Sequence, residues 1–217
     1  MLPDRAWTDA LDQGDPLTIA ILDYGMGNLR SVARAIERVG GVPEVVDESG
    51  AALAADALIV PGVGHFGACM RNLMDRRLDG AVRDFAATGR PLFGVCLGMQ
   101  ILFRRSEEDP HEGLGIIPGQ ARKLPPVVKV PHMGWNTVDW VFQHPYVRNL
   151  PSRTSFYFVH SYAADVVAGV TVGTTEHGRP FAAAIARDNV FGTQFHPEKS
   201  SDAGLAIYEA FVKEAAT

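Results

Sequence analysis

From Leu17 onward, apolar positions alternate between short continuous runs and stretches with helical spacing. Leu17 to Leu22 is an apolar run of strand formers, followed by the glycine turn Gly25-Met26-Gly27 and by Asn28, placed to cap a helix. Leu29, Val32, Ala33 and Ile36 then recur at helical spacing until Gly40-Gly41 stops the pattern before a second run, Val42 to Val46. Ala57 to Val60 is a third run, ending in Pro61-Gly62-Val63-Gly64, and Leu92 to Val95 is a fourth. Helical patterning follows over Phe66 to Met74 and over Leu97 to Phe103. Alternation of this kind predicts an α/β fold with a doubly wound, mainly parallel sheet flanked by helices.

After about Gly113 the pattern changes to short β-rich pieces punctuated by Pro and Gly: Val127 to Val130, Thr137 to Val141, Ser155 to Val159, Val170 to Thr174, Phe181 to Ala186 and Val190 to Thr193. These read as an antiparallel addition plus returning strands. Ser201 is placed to cap a last helix with a stripe of Leu205, Tyr208, Phe211 and Val212. Residues 1–16 show no clear period and end in Gly14-Asp15-Pro16, so the expectation is a poorly ordered extension before a single domain over 17–217.

Composition narrows the choice of chemistry. With 47% apolar residues over 217 positions, a core can form without disulfide or metal support. The formal charge of -5 and the lack of a Lys/Arg stripe argue against a nucleic-acid partner. Acids at Asp4, Asp9 and Asp12 precede any apolar run, which does not fit a secretory signal, and no stretch reaches the length of a membrane span. Cys69 and Cys96 are too few for a disulfide framework, there is no C-x-x-C, and the histidines form no i, i+4 pair or Cys cluster. The expectation is a cytoplasmic protein with reduced thiols, no metal and no cofactor.

The sharpest local feature is Gly94-Val95-Cys96-Leu97-Gly98, a G-x-C-x-G at a strand end leading into a helix. Its serine analogue is the nucleophile elbow, where a strained reversal exposes the nucleophile and leaves no room for side chains at the flanking positions. A thiol at a helix N-terminus also feels the positive end of the dipole, which favours thiolate. A thiol nucleophile needs a base, and His196 in Phe195-His196-Pro197-Glu198 is the best placed of the seven histidines. If Pro197 keeps this segment extended, Glu198 lies beside the imidazole and orients it as the third member of a triad. For the oxyanion, the N–H of Leu97 is one donor, and the loop Gly62-Val63-Gly64 at the neighbouring strand end can present another. The same loop, read through Gly67, formally matches G-x-G-x-x-G. It follows a proline on the third strand and has no acid at a following strand end, so a dinucleotide site is rejected. Each motif alone has a plainer reading: a buried Cys on a turn, a surface His-Pro-Glu loop, or Met and Trp filling core.

Together, the elbow Gly94 to Gln100 and the late His196-Pro197-Glu198 resemble the class I (triad) glutamine amidotransferases, a flavodoxin-like architecture. More narrowly, the chain is similar to the glutaminase subunits of imidazole glycerol phosphate synthases in four blocks: Asp23 to Ser31, Pro61 to Gly64, Lys129-Val130-Pro131-His132-Met133-Gly134-Trp135-Asn136, and Gly192 to Ser200. That resemblance implies hydrolysis of L-glutamine through a Cys96 thioester, with His196 protonating the leaving ammonia. Gln100 and the backbone around Ser161 and Tyr162 would hold the amino-acid end of the substrate. It further implies a heterodimer with a (β/α)8 cyclase subunit, met by Asn28, Met133, Trp135 and Lys199. Channelled ammonia there yields imidazole glycerol phosphate and aminoimidazole carboxamide ribotide in histidine biosynthesis. His65, beside the oxyanion glycines, and His177, between Glu176 and Gly178, depart from the family pattern. Other readings stay open: a glutaminase of anthranilate or pyridoxal phosphate synthesis, a non-catalytic regulatory subunit, or a cysteine hydrolase acting on another amide.

Overall fold

The structure, a computed structural model, describes residues 17–217. The expectations for residues 1–16 lie outside the described residues. In chain order the elements are β1 (Thr18–Leu22), α1 (Leu29–Arg38), β2 (Val42–Val46), α2 (Ser49–Ala54), β3 (Ala57–Gly62), α3 (Phe66–Asp75), α4 (Leu78–Ala87), β4 (Leu92–Cys96) and α5 (Leu97–Gln100). Next come β5 (Phe103–Ser106), β6 (Ile117–Lys123), β7 (His132–Trp140), β8 (Arg153–His160), β9 (Tyr162–Ala164), β10 (Thr171–Glu176), β11 (Pro180–Arg187) and β12 (Val190–Thr193). A 3-10 turn (Pro197–Lys199) and α6 (Ser201–Ala215) complete the chain.

Nine strands form one sheet in the order β2-β1-β3-β4-β12-β11-β10-β7-β8, and β5-β6-β9 form a second, smaller one. The run from β2 to β12 is parallel, and the strands beyond β12 continue antiparallel. Alternating side chains of the central strands feed two cores, because successive residues of a strand point to opposite faces. Ile19 and Ile21 of β1 and Ala57 and Ile59 of β3 join Val32, Ala35 and Ile36 of α1 and Ile207, Tyr208 and Phe211 of α6. Ala20, Leu22, Leu58 and Val60 point the other way, toward Met70, Leu73, Val82 and Phe85 of α3 and α4. Helices therefore cover both faces, and the α/β doubly wound expectation holds.

Four local expectations change. Helical pattern runs from Leu97 to Phe103, but α5 ends at Gln100, because Ile101 and Leu102 accept backbone bonds from Leu114 and Ile117 at 2.7 and 3.0 Å. Phe103 then starts β5, paired with Ile117. Val127 to Val130 is a turn rather than a strand: Pro125, Pro126 and Pro131 remove donors that a ladder needs, and Val127 is exposed. Asn28 occupies the position before α1 without a side-chain cap bond. Ser201 is already inside α6, and Ser200 stands at the cap position with its hydroxyl donated to the His196 carbonyl at 2.7 Å.

The site is positioned by register. Gly62 at the end of β3 is the direct partner of Cys96 at the end of β4, and Thr193 of β12 pairs with Val95 on the other side. Three neighbouring strands thus deliver the glycine loop, the cysteine and the segment leading to His196 to one edge of the sheet, the C-terminal edge at which open α/β sheets bind ligands.

Candidate active site

Cys96 is a non-glycine residue in a left-handed conformation, φ 55° and ψ -109°, and it is nearly buried at the start of α5. Crowding explains its neighbours. A Cβ on Gly98 would overlap the Val60 carbonyl oxygen, one on Gly94 would approach the Gly98 oxygen to 2.8 Å, and one on Gly62 would approach the Gly98 nitrogen to 2.5 Å. Only hydrogen fits at these three positions, so the sharp turn that presents the thiol depends on glycine at each.

His196 reaches Cys96 from β12 by way of Gln194 and Phe195. Its backbone N–H donates to Tyr157 of β8 at 3.0 Å, and its carbonyl accepts from Lys199 N–H at 3.0 Å and from the Ser200 hydroxyl. The Tyr157 N–H in turn donates to Ser200 Oγ at 3.0 Å. Pro197 does not extend the segment but opens the 3-10 turn, and this turn brings Glu198 back beneath the imidazole. His196 Nδ1 donates to Glu198 Oε1 at 2.8 Å, with both side chains all but inaccessible. α6 closes on this turn through Gly204, where a Cβ would overlap the Pro197 carbonyl.

The imidazole keeps its proton strongly. Burial opposes its charge, but attraction and hydrogen bonding from Cys96, followed by Glu198, outweigh burial and raise it from 6.5 to about 10. Its Nε2 has no hydrogen-bond partner of regular geometry among the described residues, which leaves that nitrogen for the group facing it, Cys96. Below Glu198 lies Tyr208, whose hydroxyl is pushed well above its ordinary value by burial first and then by the charge of Glu198.

A cavity of about 280 Å³ opens over these groups, lined among others by Val63, Gly64, Leu97, Gln100, Ser161 and Tyr162. Gln100 donates to the Tyr162 carbonyl at 2.9 Å, and the same carbonyl accepts from His160 Nδ1 at 2.9 Å. Val63 is partly exposed at the rim, and Gly64, at φ +100°, takes a conformation that a side chain would resist. His65 is not among the cavity-lining residues: it precedes α3, accepts from Gly67 N–H at 3.2 Å and stands 3.7 Å from Asp109. His177 stacks on His132 with ring centroids 4.2 Å apart.

Of the residues expected at a partner surface, Met133 and Trp135 are 63% and 56% exposed on β7. Lys199 lines the cavity mouth and stands 5.9 Å over the Tyr157 ring. Asn28 is partly buried at the start of α1 and is not among the cavity-lining residues. Two residues of the site were not read from the sequence. Glu108 lines the cavity and accepts from the Phe66 N–H at 2.9 Å, which also caps α3. Gln194, fully buried, contacts both Gln100 and Cys96. Gln194 stands two residues before His196 but its contact to Gln100 has no local mark, and Glu108 sits among other acids with no pattern to mark it.

The family profile "Glutamine amidotransferase class-I" matches residues 20–215. The chain is 49% identical over 195 residues to the imidazole glycerol phosphate synthase subunit HisH of Moorella thermoacetica, covering 89% of this chain and 93% of that one. It is 48% identical over 204 residues to the HisH of Halobacterium salinarum, covering 90% and 92%. Among solved structures, PurLQS from Thermotoga maritima superposes with a TM-score of 0.74 at 18% identity, covering 91% of this chain and 98% of that one, a likeness of fold. A structure described as a glutamine amidotransferase gives 0.73 at 20% identity, covering 92% and 99%. The chain belongs to the class I glutamine amidotransferases and, within them, to the family of the HisH subunits.

Proposed function

We propose that this chain is the glutaminase subunit of imidazole glycerol phosphate synthase, hydrolysing L-glutamine to glutamate and ammonia and passing the ammonia to a cyclase subunit. One observation carries the catalytic part: His196 is gripped by Glu198 through Nδ1 and faces Cys96 with its other nitrogen. In this reading the Cys96 sulfur attacks the side-chain amide carbon of glutamine. The Leu97 N–H and the Val63 side of the Gly62-Val63-Gly64 loop steady the oxyanion, and His196 gives its proton to the departing ammonia. A water that has lost its proton to His196 then cleaves the thioester and releases glutamate. Glu198 keeps the imidazole in the tautomer that both steps need.

Gln100 and the Ser161 and Tyr162 backbone take the amino-acid end of the substrate. The carboxylate of Glu108, in the same cavity, suits the α-ammonium. The partner surface is the exposed Met133 and Trp135 with Lys199 and Asn28, on which a (β/α)8 cyclase forms the heterodimer in the cytoplasm. Among the described residues no helix is long and apolar enough to cross a membrane.

The test mixes the purified chain with the cyclase subunit of the same cell and follows glutamate release with and without the cyclase's phosphoribulosyl ligand, beside Cys96→Ala. Release that is weak alone, rises with liganded cyclase and vanishes in the variant is expected. Brisk release indifferent to the cyclase assigns the chain to another synthase. No release under any condition removes the enzymatic reading.

A further inference from the structure

Gln194 is completely buried, and its backbone N–H is fixed to the Ala183 carbonyl at 2.8 Å. Its side chain links two residues that line the cavity, Gln100 and Cys96. Gln100 Nε2 donates to the Tyr162 carbonyl and, at 3.0 Å, to Gln194 Oε1, and Gln194 Nε2 lies 3.7 Å from Cys96 Sγ. The direction of this chain is determined by its end. A backbone carbonyl only accepts, so the Gln100 amide must turn its NH2 toward Tyr162. The same NH2 faces Gln194, which must therefore present its oxygen there, and the Gln194 NH2 is left pointing at the sulfur. Two amides in series thus aim a donor at the nucleophile.

We propose that Gln194 is a positioning residue for Cys96: its amide holds the sulfur as a hydrogen-bond acceptor and ties it to Gln100, so that one side chain aligns the nucleophile and the substrate-binding amide together. This rests on the reading of Cys96 as nucleophile and Gln100 as a glutamine contact. A hydrogen bond donated to the sulfur restrains its position. An amide supplies this without a second buried ion, which would need a partner of its own. The other titratable groups acting on the sulfur are His196, directly, and Tyr24 and Cys69 of β1's following turn and α3, at longer range. None of the three is tied to Gln100 by a hydrogen bond.

The test uses the full chain and two substitutions. Gln194→Met keeps the length but neither donates to sulfur nor accepts from Gln100. Gln194→Glu keeps an oxygen for Gln100 and sets a second oxygen against the sulfur. The first readout is the rate of iodoacetamide labelling at Cys96, located by peptide mass spectrometry. The second is the split of kcat and KM for glutamine with liganded cyclase present. Labelling is expected to slow at least about fivefold in both variants, the loss of one hydrogen bond to a charged group. KM should rise in Gln194→Met and stay within about twofold of the parent in Gln194→Glu, where the Gln100 contact survives. Labelling within about twofold of the parent in both variants, with near-ultraviolet circular dichroism unchanged, overturns the role toward sulfur. KM shifts of equal size in the two variants overturn the coupling to Gln100. A Cys96→Ala chain that still releases glutamate would instead sink the nucleophile reading, and the labelling comparison would still decide whether Gln194 acts on the sulfur.

Discussion

Across Pro197, His196 Nδ1 and Glu198 Oε1 lie 2.8 Å apart with both side chains almost fully buried. A carboxylate so enclosed does what an amide of equal shape cannot: it carries no donor that could face Nδ1 in the wrong tautomer, and its charge balances the imidazolium. Glu198→Gln should therefore fold normally but lower glutamate release with liganded cyclase by about 10²–10⁴-fold, because an amide can also turn its NH2 to Nδ1 and fix the wrong tautomer. Steady-state assays on the heterodimer decide it, and a loss below about threefold would remove Glu198 from the catalytic group.

The histidines predict opposite limbs in a stability profile. Burial lowers His132 and His144 to about 4 each and His160 to about 3, with neighbouring imidazoles adding to the effect at His132 and His160. The unfolded chain titrates these near 6.5, so their contribution is complete above that value and is lost as pH falls toward 4. His196, raised to about 10, works the other way: its contribution is complete below about 6.5 and is lost as pH rises through about 10. Urea melts from acid to alkaline pH should fall on both sides of neutrality. His144→Phe, which keeps the stack on Phe191, should flatten the acid limb, and His196→Gln the alkaline one. An acid limb identical in His144→Phe and parent would show that this imidazole does not contribute.

Glu108 offers a separable test of substrate recognition. One oxygen accepts from the Phe66 N–H at 2.9 Å, and the residue also lines the cavity. Glu108→Gln preserves an acceptor for α3 and removes only the charge. KM for glutamine should rise about tenfold or more, the value of a charge-assisted bond to an ammonium, while kcat stays within about threefold. Equal losses in kcat and KM would place Glu108 in the structure of α3 rather than in substrate binding.

The parallel half of the sheet was readable because strands buried on both faces leave continuous apolar runs. β12, buried throughout, starts and stops where the run Val190–Thr193 does, whereas β2 is a mostly exposed edge strand that was marked by Gly40-Gly41 before it. The elbow was readable for a related reason: the crowding that demands Gly94 and Gly98 is local to one strand-to-helix turn. What failed did so for separate reasons, some local and some set by partners elsewhere in the chain. α5 looks helical through Phe103 until Leu114 and Ile117 capture its last carbonyls. Val127 to Val130 has strand composition but lies between prolines. Gln194 joins the site through a bond to Gln100, 94 residues earlier, and no local pattern encodes that meeting. The His196 and Glu198 pairing arises from a 3-10 turn rather than the extended chain expected, since either geometry can bring side chains two residues apart together.

Met133 and Trp135 stand two residues apart on β7 and, by strand alternation, on one face. Trp135 packs edge-on against Tyr157 at 6.4 Å, and Lys199 sits over the same Tyr157 ring. The plainer reading of this Met and Trp, that they fill the core, fails on their exposure of 63% and 56%. Two large apolar side chains held in the open, with Met133 paired to the cavity-lining Val159, suit an interface anchor. Trp135→Ala should consequently change the stability of the isolated chain by no more than about 0.5 kcal/mol, as surface substitutions do. The same change should weaken cyclase binding by about 2 kcal/mol, roughly 30-fold in Kd. Urea melts of the chain and calorimetric titration with the cyclase separate the two effects. Full affinity in the variant would move the partner surface off β7, whereas a large loss of stability with affinity intact would return Trp135 to a packing role.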